Sequence, residues 1–124
     1  MPEVPARKWP ATLPMNDIVE NVKNDPYVTK EGFVCKAGPG DFKYLDANYK
    51  GTDDPNKITW FVFNCPRTGK YCCTIRVGLN TKPIDTKHSW QWDGNLEKPT
   101  LHPSINCLDG CTWHGWVTSG VFKD

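Results

Sequence analysis

Apolar and aromatic residues in the second half of the chain follow the spacing of β-strands. Residues 58–63 form a run rich in β-branched and aromatic side chains, which is typical of a strand that is apolar on both faces. Residues 71–77 have a similar composition and follow the turn residues Pro66 and Gly69, which predicts a hairpin. Further strands are predicted at residues 89–92, 116–118 and 121–122, the last two as a hairpin around Ser119 and Gly120. This half of the chain therefore predicts a small antiparallel β-sheet.

The first half of the chain has weaker patterning and predicts one helix. Residues 1–14 are punctuated by prolines, which favour an extended arm. Asn16 is a good N-cap, and the apolar residues that follow it predict a short N-terminal helix over about residues 16–23. Glycine and other turn-forming residues are then frequent up to residue 56, with one candidate short strand at residues 42–45.

Length and patterning together predict a single mainly β (α+β) domain over residues 1–124. A chain of 124 residues is long enough to bury one hydrophobic core. We expect an extended arm at residues 1–14, a helix and loop-rich region at 15–56, and a β-rich core at 57–124.

Charge and hydropathy exclude two classes of partner. The formal net charge is +1, and basic residues do not cluster in runs longer than two, so a nucleic-acid partner is not expected. No window approaches the roughly 18 apolar residues that a membrane span needs. The N-terminus also lacks the apolar stretch of a secretory signal. We therefore expect a soluble protein of the cytoplasm, or of the host cytoplasm if a phage encodes it.

Four residues predict a zinc site. Cys65 and Cys72 stand on either side of the predicted turn, and Cys111 and His114 form a Cys-x-x-His pair. Zinc is usually bound tetrahedrally by Cys thiolates and His nitrogens, and thiols without an export signal are more often metal ligands or core residues than disulfides. Cys107 is an alternative to Cys111. The sequence thus predicts one Zn²⁺ that staples the β-rich core.

The segment from Pro99 to Ile105 combines two prolines with two hydroxyl side chains. Because the prolines remove two backbone donors, we expect an edge or a connection between strands here. For Thr100 and Ser104 we expect capping of nearby turn groups rather than ligand binding. Two tryptophans two positions apart just before this segment, Trp90 and Trp92, are expected to belong to the core.

Four motifs in fixed order resemble a known family over residues 60–122. They are Cys65-Pro66 to Cys72, Trp90-x-Trp-Asp-Gly-Asn95, Pro99-Thr-Leu-x-Pro-Ser-Ile105, and Cys111-x-Trp-His-Gly-Trp-Val-Thr118 followed by Gly120. This order resembles a family of small phage and bacterial zinc-binding proteins classed as a domain of unknown function and often mislabelled as ammonia monooxygenase. The resemblance implies a compact β-rich zinc domain, often in phage accessory regions. In many relatives the first motif is similar to Cys-Pro-x-Cys-Gly-x-x-His, so Thr68 replaces a cysteine and Cys72 replaces the histidine.

These observations lead to two functional hypotheses. The preferred one is a non-enzymatic, zinc-stapled binding module, a phage accessory protein that binds a host protein or a small ligand, because a saturated site has no open position for catalysis. The alternative is a zinc-dependent hydrolase with water at the fourth zinc position. Its candidate bases are Asp93, Glu97 and Asp109. A nucleophilic pair of Cys111 and His114 also stays open.

Overall fold

The described part of the chain is built entirely from β-strands, turns and loops. A computed structural model describes residues 3–9, 11, 38–69, 71–79, 89–106 and 113–124, with the backbone alone at 71–73. The strands are β1 Val4–Pro5, β2 Arg7–Lys8, β3 Asp41–Leu45, β4 Trp60–Asn64, β5 Tyr71–Leu79, β6 Trp90–Trp92, β7 Leu101–Asn106, β8 His114–Thr118 and β9 Val121–Lys123. The mainly β prediction is confirmed for these ranges, which contain no helix. The predicted helix at residues 16–23 lies outside them.

The nine strands form one nearly closed, barrel-like sheet in the order β1-β9-β8-β7-β6-β5-β4-β3-β2. The β2–β3 and β5–β6 pairs are parallel and the remaining pairs are antiparallel. The sequence predicts a purely antiparallel sheet, and this prediction is wrong for the two parallel pairs. The hairpin between β4 and β5 and the hairpin between β8 and β9 are confirmed.

Residues 3–9, which we call the closing segment, lie at both ends of the strand order. β1 and β2 are separated only by Ala6, yet β1 pairs with β9 and β2 pairs with β3. The Ala6 N–H donates to the Gly120 carbonyl oxygen at 2.8 Å, and the Arg7 N–H donates to that of Gly40 at 3.0 Å. The closing segment thus joins the two ends of the sheet.

An ion pair between the largely exposed side chain of Arg7 and the buried carboxylate of Asp41 anchors the closing segment. The Arg7 guanidinium donates from Nε to Asp41 Oδ1 at 2.8 Å and from a terminal nitrogen to Oδ2 at 2.6 Å. The Gly38 N–H also donates to Oδ2, at 2.8 Å, so the buried Asp41 carboxylate is well satisfied. This hydrogen bonding raises the pKa of Arg7. Trp9 is buried at the end of the segment.

Aromatic side chains fill the interior of the sheet. Neighbouring ring centroids are 5.0 to 5.9 Å apart, in tilted, stacked and edge arrangements. These rings belong to the almost fully buried residues Phe42, Tyr44, Phe61, Phe63, Trp92, Trp113 and Phe122. Trp92 is almost fully buried and Trp90 packs against the same cluster, so the predicted core role of this pair is confirmed. The Tyr44 hydroxyl donates to the Asn95 and Leu96 carbonyl oxygens at 3.2 and 2.9 Å. Burial raises the pKa of Tyr44 well above its usual range.

The proline-containing segment predicted as an edge or connection is instead an interior strand. β7 pairs with β6 on one side and with β8 on the other. Pro103 is tolerated because the register with β8 shifts between Leu101 and Ile105, and a proline within a bulge removes no regular ladder hydrogen bond.

Two sequence expectations concern the chain as a whole. The division into a single domain with three regions stays a prediction. In the parts that the structure describes, no helix is long and apolar enough to cross a membrane.

Candidate active site

The bulge in β7 directs a serine away from the regular strand pattern. Leu101 faces Val117, but Ile105 faces Gly115, so the three β7 residues 102–104 stand opposite the single β8 residue Trp116. Bulges of this kind bend the strand and re-aim its side chains, and they are frequent beside active sites. Ser104 is the last residue of the bulge and is half-buried.

Ser104 forms a hydrogen bond with a histidine on the neighbouring strand. Ser104 Oγ lies 3.1 Å from Nε2 of His114, the exposed first residue of β8. If the neutral imidazole carries its proton on Nδ1, Nε2 accepts the hydroxyl proton. A hydroxyl nucleophile beside a neutral imidazole base is the arrangement that nucleophilic catalysis requires.

The surrounding core fixes the backbone of the bulge. The indole Nε1–H of Trp90 donates to the Ser104 carbonyl oxygen at 3.2 Å, while the rest of Trp90 packs against the hydrophobic core. Leu101 and Ile105, on either side of the bulge, are buried. The bulge is therefore held by the buried residues on either side and by the hydrogen bond to its last residue.

The strand that carries His114 lies close to its neighbours because it contains a glycine. A Cβ atom at Gly115 would overlap the Lys123 carbonyl oxygen and the Trp113 ring. The small residue lets the backbones of β8 and β9 and the buried indole pack together. This packing fixes the start of β8 and with it the position of His114.

His114 and Trp116 point to the outer face of the sheet, alternating with the buried Gly115 and Val117. Their rings are nearly parallel, at 27°, with centroids 6.0 Å apart. Trp116 is 43% exposed, and its register partner across β8 and β9 is Lys123. The hydroxyl and imidazole pair thus opens onto a surface with an aromatic ring beside it.

The second hydroxyl of the Pro99–Ile105 segment has a different role. Thr100 Oγ1 accepts a hydrogen bond from the Ser119 N–H at 2.8 Å, which confirms capping for Thr100. Capping was also expected for Ser104 but is wrong there, because the Ser104 hydroxyl contacts His114. The Asp93 carboxylate, a candidate base, accepts from the Asn95 and Thr100 N–H groups at 3.1 and 3.2 Å and so stabilises a turn.

Two of the four predicted zinc ligands, Cys65 and His114, have side chains that the structure describes. Cys65 is buried after β4, and its Sγ accepts from the Arg67 N–H at 3.4 Å, whereas His114 contacts Ser104. Cys111 and the Cys72 side chain lie outside the described residues. Within those residues, no group of three or more His, Cys, Asp or Glu side chains is arranged to hold a metal ion. The ligand set of Cys65, Cys72, Cys111 and His114 stays a prediction.

A serine hydroxyl bonded to a histidine is an arrangement found in the class of serine hydrolases. Residues 34–123 match the family model described as bacterial ubiquitination-like system serine protease (BubE), and this range includes Ser104 and His114. The chain belongs to this family, and membership indicates an enzyme. No curated protein and no solved structure matches the chain.

This membership overturns three expectations from the sequence. The resemblance to the zinc-binding family mislabelled as ammonia monooxygenase is wrong, since the family model that matches is a serine protease family. The non-enzymatic binding module is wrong for the same reason, and so is the description as a phage accessory protein, whereas zinc binding itself stays a prediction. The signal that could have found the site is Ser104 in an apolar segment, ten residues before His114, at a distance suited to a hairpin.

Proposed function

We propose that this protein is a serine protease that cleaves an amide bond in a protein of a bacterial ubiquitination-like system, with Ser104 as the nucleophile and His114 as the general base. The observation that carries the proposal is the 3.1 Å contact between Ser104 Oγ and His114 Nε2. Membership in the BubE family supports it, because the matched range contains both residues. The family description also supports proteins of such a system as partners.

The proposed reaction proceeds in two stages. In the first, Ser104 Oγ attacks the amide carbonyl carbon while its proton moves to His114 Nε2. The C–N bond then breaks, His114 returns the proton to the leaving amine, and an ester of Ser104 remains. In the second stage, water attacks the ester carbonyl and gives a proton to His114. The C–Oγ bond breaks, Ser104 recovers its proton and the acid product leaves.

The position of the pair on the outer face suits a protein substrate. His114 is exposed and Ser104 is half-buried, so a chain lying across β7 and β8 can reach both atoms. The backbone beneath is fixed by the Trp90 hydrogen bond, so the nucleophile needs little rearrangement before attack.

Labelling with a fluorophosphonate probe tests the proposal. Such probes react with an activated serine hydroxyl, so mass spectrometry of the intact protein and its peptides should find one adduct, on Ser104. Ser104→Ala should abolish labelling, and His114→Ala should slow it by at least about 100-fold because the base is lost. Thr59→Ala, which removes a hydroxyl outside the bulge, is the matched control and should label normally.

Two outcomes would contradict the proposal. One is labelling that persists in folded Ser104→Ala protein, and the other is an unchanged labelling rate in His114→Ala. Circular dichroism of each variant distinguishes a lost nucleophile from a lost fold.

A further inference from the structure

We infer that Trp116 forms a substrate subsite next to the Ser104–His114 pair, and that this subsite takes an apolar or aromatic side chain within about two residues of the cleaved bond. The inference rests on the proposed function and deepens it, because it names a residue that would select the substrate.

The exposure of Trp116 is the first observation behind this inference. In the described ranges, the large hydrophobic side chains that remain exposed are Tyr49 and Trp116. Tyr49 stacks on Trp60, 5.3 Å away, and so has an aromatic partner within the chain. The neighbour of Trp116 is the imidazole of His114. An exposed tryptophan beside a reactive pair is an apolar surface that a bound substrate can cover.

The spacing between the rings fits an extended substrate. The centroids of His114 and Trp116 are 6.0 Å apart, and both residues point to the same face of β8. An extended chain advances by about 3.3 Å per residue, so this separation corresponds to about two residues. A substrate whose carbonyl carbon lies at Ser104 Oγ therefore brings a nearby side chain over the indole.

The charge beside the subsite favours an apolar side chain over a cationic one. Lys123 is the register partner of Trp116 on β9, and directly opposed side chains on one face of a sheet lie about 5 Å apart between Cβ atoms. The ammonium group repels a lysine or arginine of the substrate, although the indole face alone would attract one. An aromatic or aliphatic side chain gains contact with the indole without this repulsion.

Two sulfonyl fluorides of different size test the subsite on the full chain. Both react with Ser104 in the same way: an Oγ–S bond forms, the S–F bond breaks, the hydroxyl proton passes to His114 and fluoride leaves. Phenylmethylsulfonyl fluoride carries an aromatic ring that can occupy the subsite, whereas methanesulfonyl fluoride carries only a methyl group. The inactivation rate constants are measured by intact-protein mass spectrometry for the wild type, Trp116→Ala and Trp116→Phe.

We expect Trp116→Ala to slow the aromatic reagent by about fivefold, the size of one aromatic contact, and to leave the methyl reagent unchanged. Trp116→Phe should keep most of the preference for the aromatic reagent. Equal slowing of both reagents in Trp116→Ala would overturn the subsite, since Trp116 would then act through His114. Equal rates in the wild type and Trp116→Ala would overturn it too. If neither reagent modifies Ser104 of the wild type, the proposed function itself fails, so the two failures are distinct.

Discussion

The sheet contains two bulges with opposite environments. In the pair of β4 and β5, Phe63 faces Cys73 but Asn64 faces Tyr71, so β5 carries one extra residue. Asn64 is fully buried, and its Nδ2 donates to the Gly69 carbonyl oxygen at 3.0 Å. In the pair of β7 and β8, the bulge instead ends in a hydroxyl bonded to an exposed imidazole. The two bulges therefore differ in what they present: one buries an amide, and the other exposes the hydroxyl and imidazole of the proposed nucleophile and base to solvent.

The first prediction tests the bulge in β7 that carries Ser104, which we call the outward bulge, and it has the largest expected effect. Ser104→Ala should lower the rate of amide cleavage by at least about 10⁴-fold, because no other group replaces the nucleophile. The free energy of unfolding should change by no more than about 0.5 kcal/mol, since the hydroxyl is not part of the core. Activity assays with proteins of the ubiquitination-like system, together with urea unfolding, measure both quantities. A Ser104→Ala variant that keeps more than one hundredth of the wild-type cleavage rate would show that this bulge does not supply the nucleophile.

The second prediction tests the irregular register between β4 and β5 beside the buried Asn64, which we call the inward bulge. Asn64→Ala should lower the free energy of unfolding by about 1–2 kcal/mol, because it removes the hydrogen bond to the Gly69 carbonyl oxygen and opens a cavity, while loss of the buried Oδ1, which has no partner among the described residues, offsets part of that cost. Fluorophosphonate labelling of the folded fraction should be unchanged. Asn56→Ala, at an exposed position, is the control and should change stability by less than about 0.5 kcal/mol. Loss of labelling in folded Asn64→Ala protein would show that the two bulges are coupled.

The third prediction concerns Tyr44 in the aromatic interior behind both bulges. Because burial raises the pKa of Tyr44, the folded protein retains this proton at pH values where the unfolded chain loses it. The stabilisation is complete below the unfolded pKa of about 10, and above it the free energy of unfolding should fall by about 1.4 kcal/mol per pH unit. Urea unfolding between pH 8 and about 11 measures this slope. Tyr44→Phe should flatten it, whereas Tyr49→Phe, at the exposed tyrosine, should leave it intact.

The fourth prediction has the smallest expected effect. It tests whether the hydrogen bond from Trp90 supports the outward bulge. Trp90→Phe keeps an aromatic ring but removes the donor to the Ser104 carbonyl oxygen, so we expect a loss of about 1 kcal/mol in transition-state stabilisation. In kinetics this is about a fivefold decrease in kcat with little change in KM. Trp60→Phe is the matched control, because Trp60 Nε1 is buried without a hydrogen-bond partner in the described part of the chain. An equal decrease in both variants would exclude a specific role for the Trp90 hydrogen bond.

Local patterning predicted most of the strands but not their arrangement. The runs that became β4 and β5 have strong β propensity, and the turn between them contains Pro66 and Gly69, so the local signals agreed with the fold. The parallel pairing of β2 with β3 places Arg7 against Asp41, 34 residues away along the chain, and alternation of apolar and polar residues cannot encode such a contact. Closure of the sheet was therefore not predictable from local pattern.

The candidate site was only half accessible to the same reasoning. His114 was selected as a functional residue, but with cysteine partners, because metal-ligand spacing is visible along a sequence. Ser104 was assigned to capping because the bulge that re-aims it depends on the register between β7 and β8. The contact between Ser104 and His114 requires that register, and the register cannot be predicted from either residue alone.

The closing segment has a consequence for self-association. Residues 3–9 pair with β9 through β1 and with β3 through β2, so one short stretch covers two strands at once. If this segment were detached, β3 and β9 would both present unpaired N–H and C=O groups, which are templates for pairing with another chain. A single local opening would thus expose two strand edges to other chains, and the two Arg7–Asp41 hydrogen bonds that hold the segment in place oppose this opening.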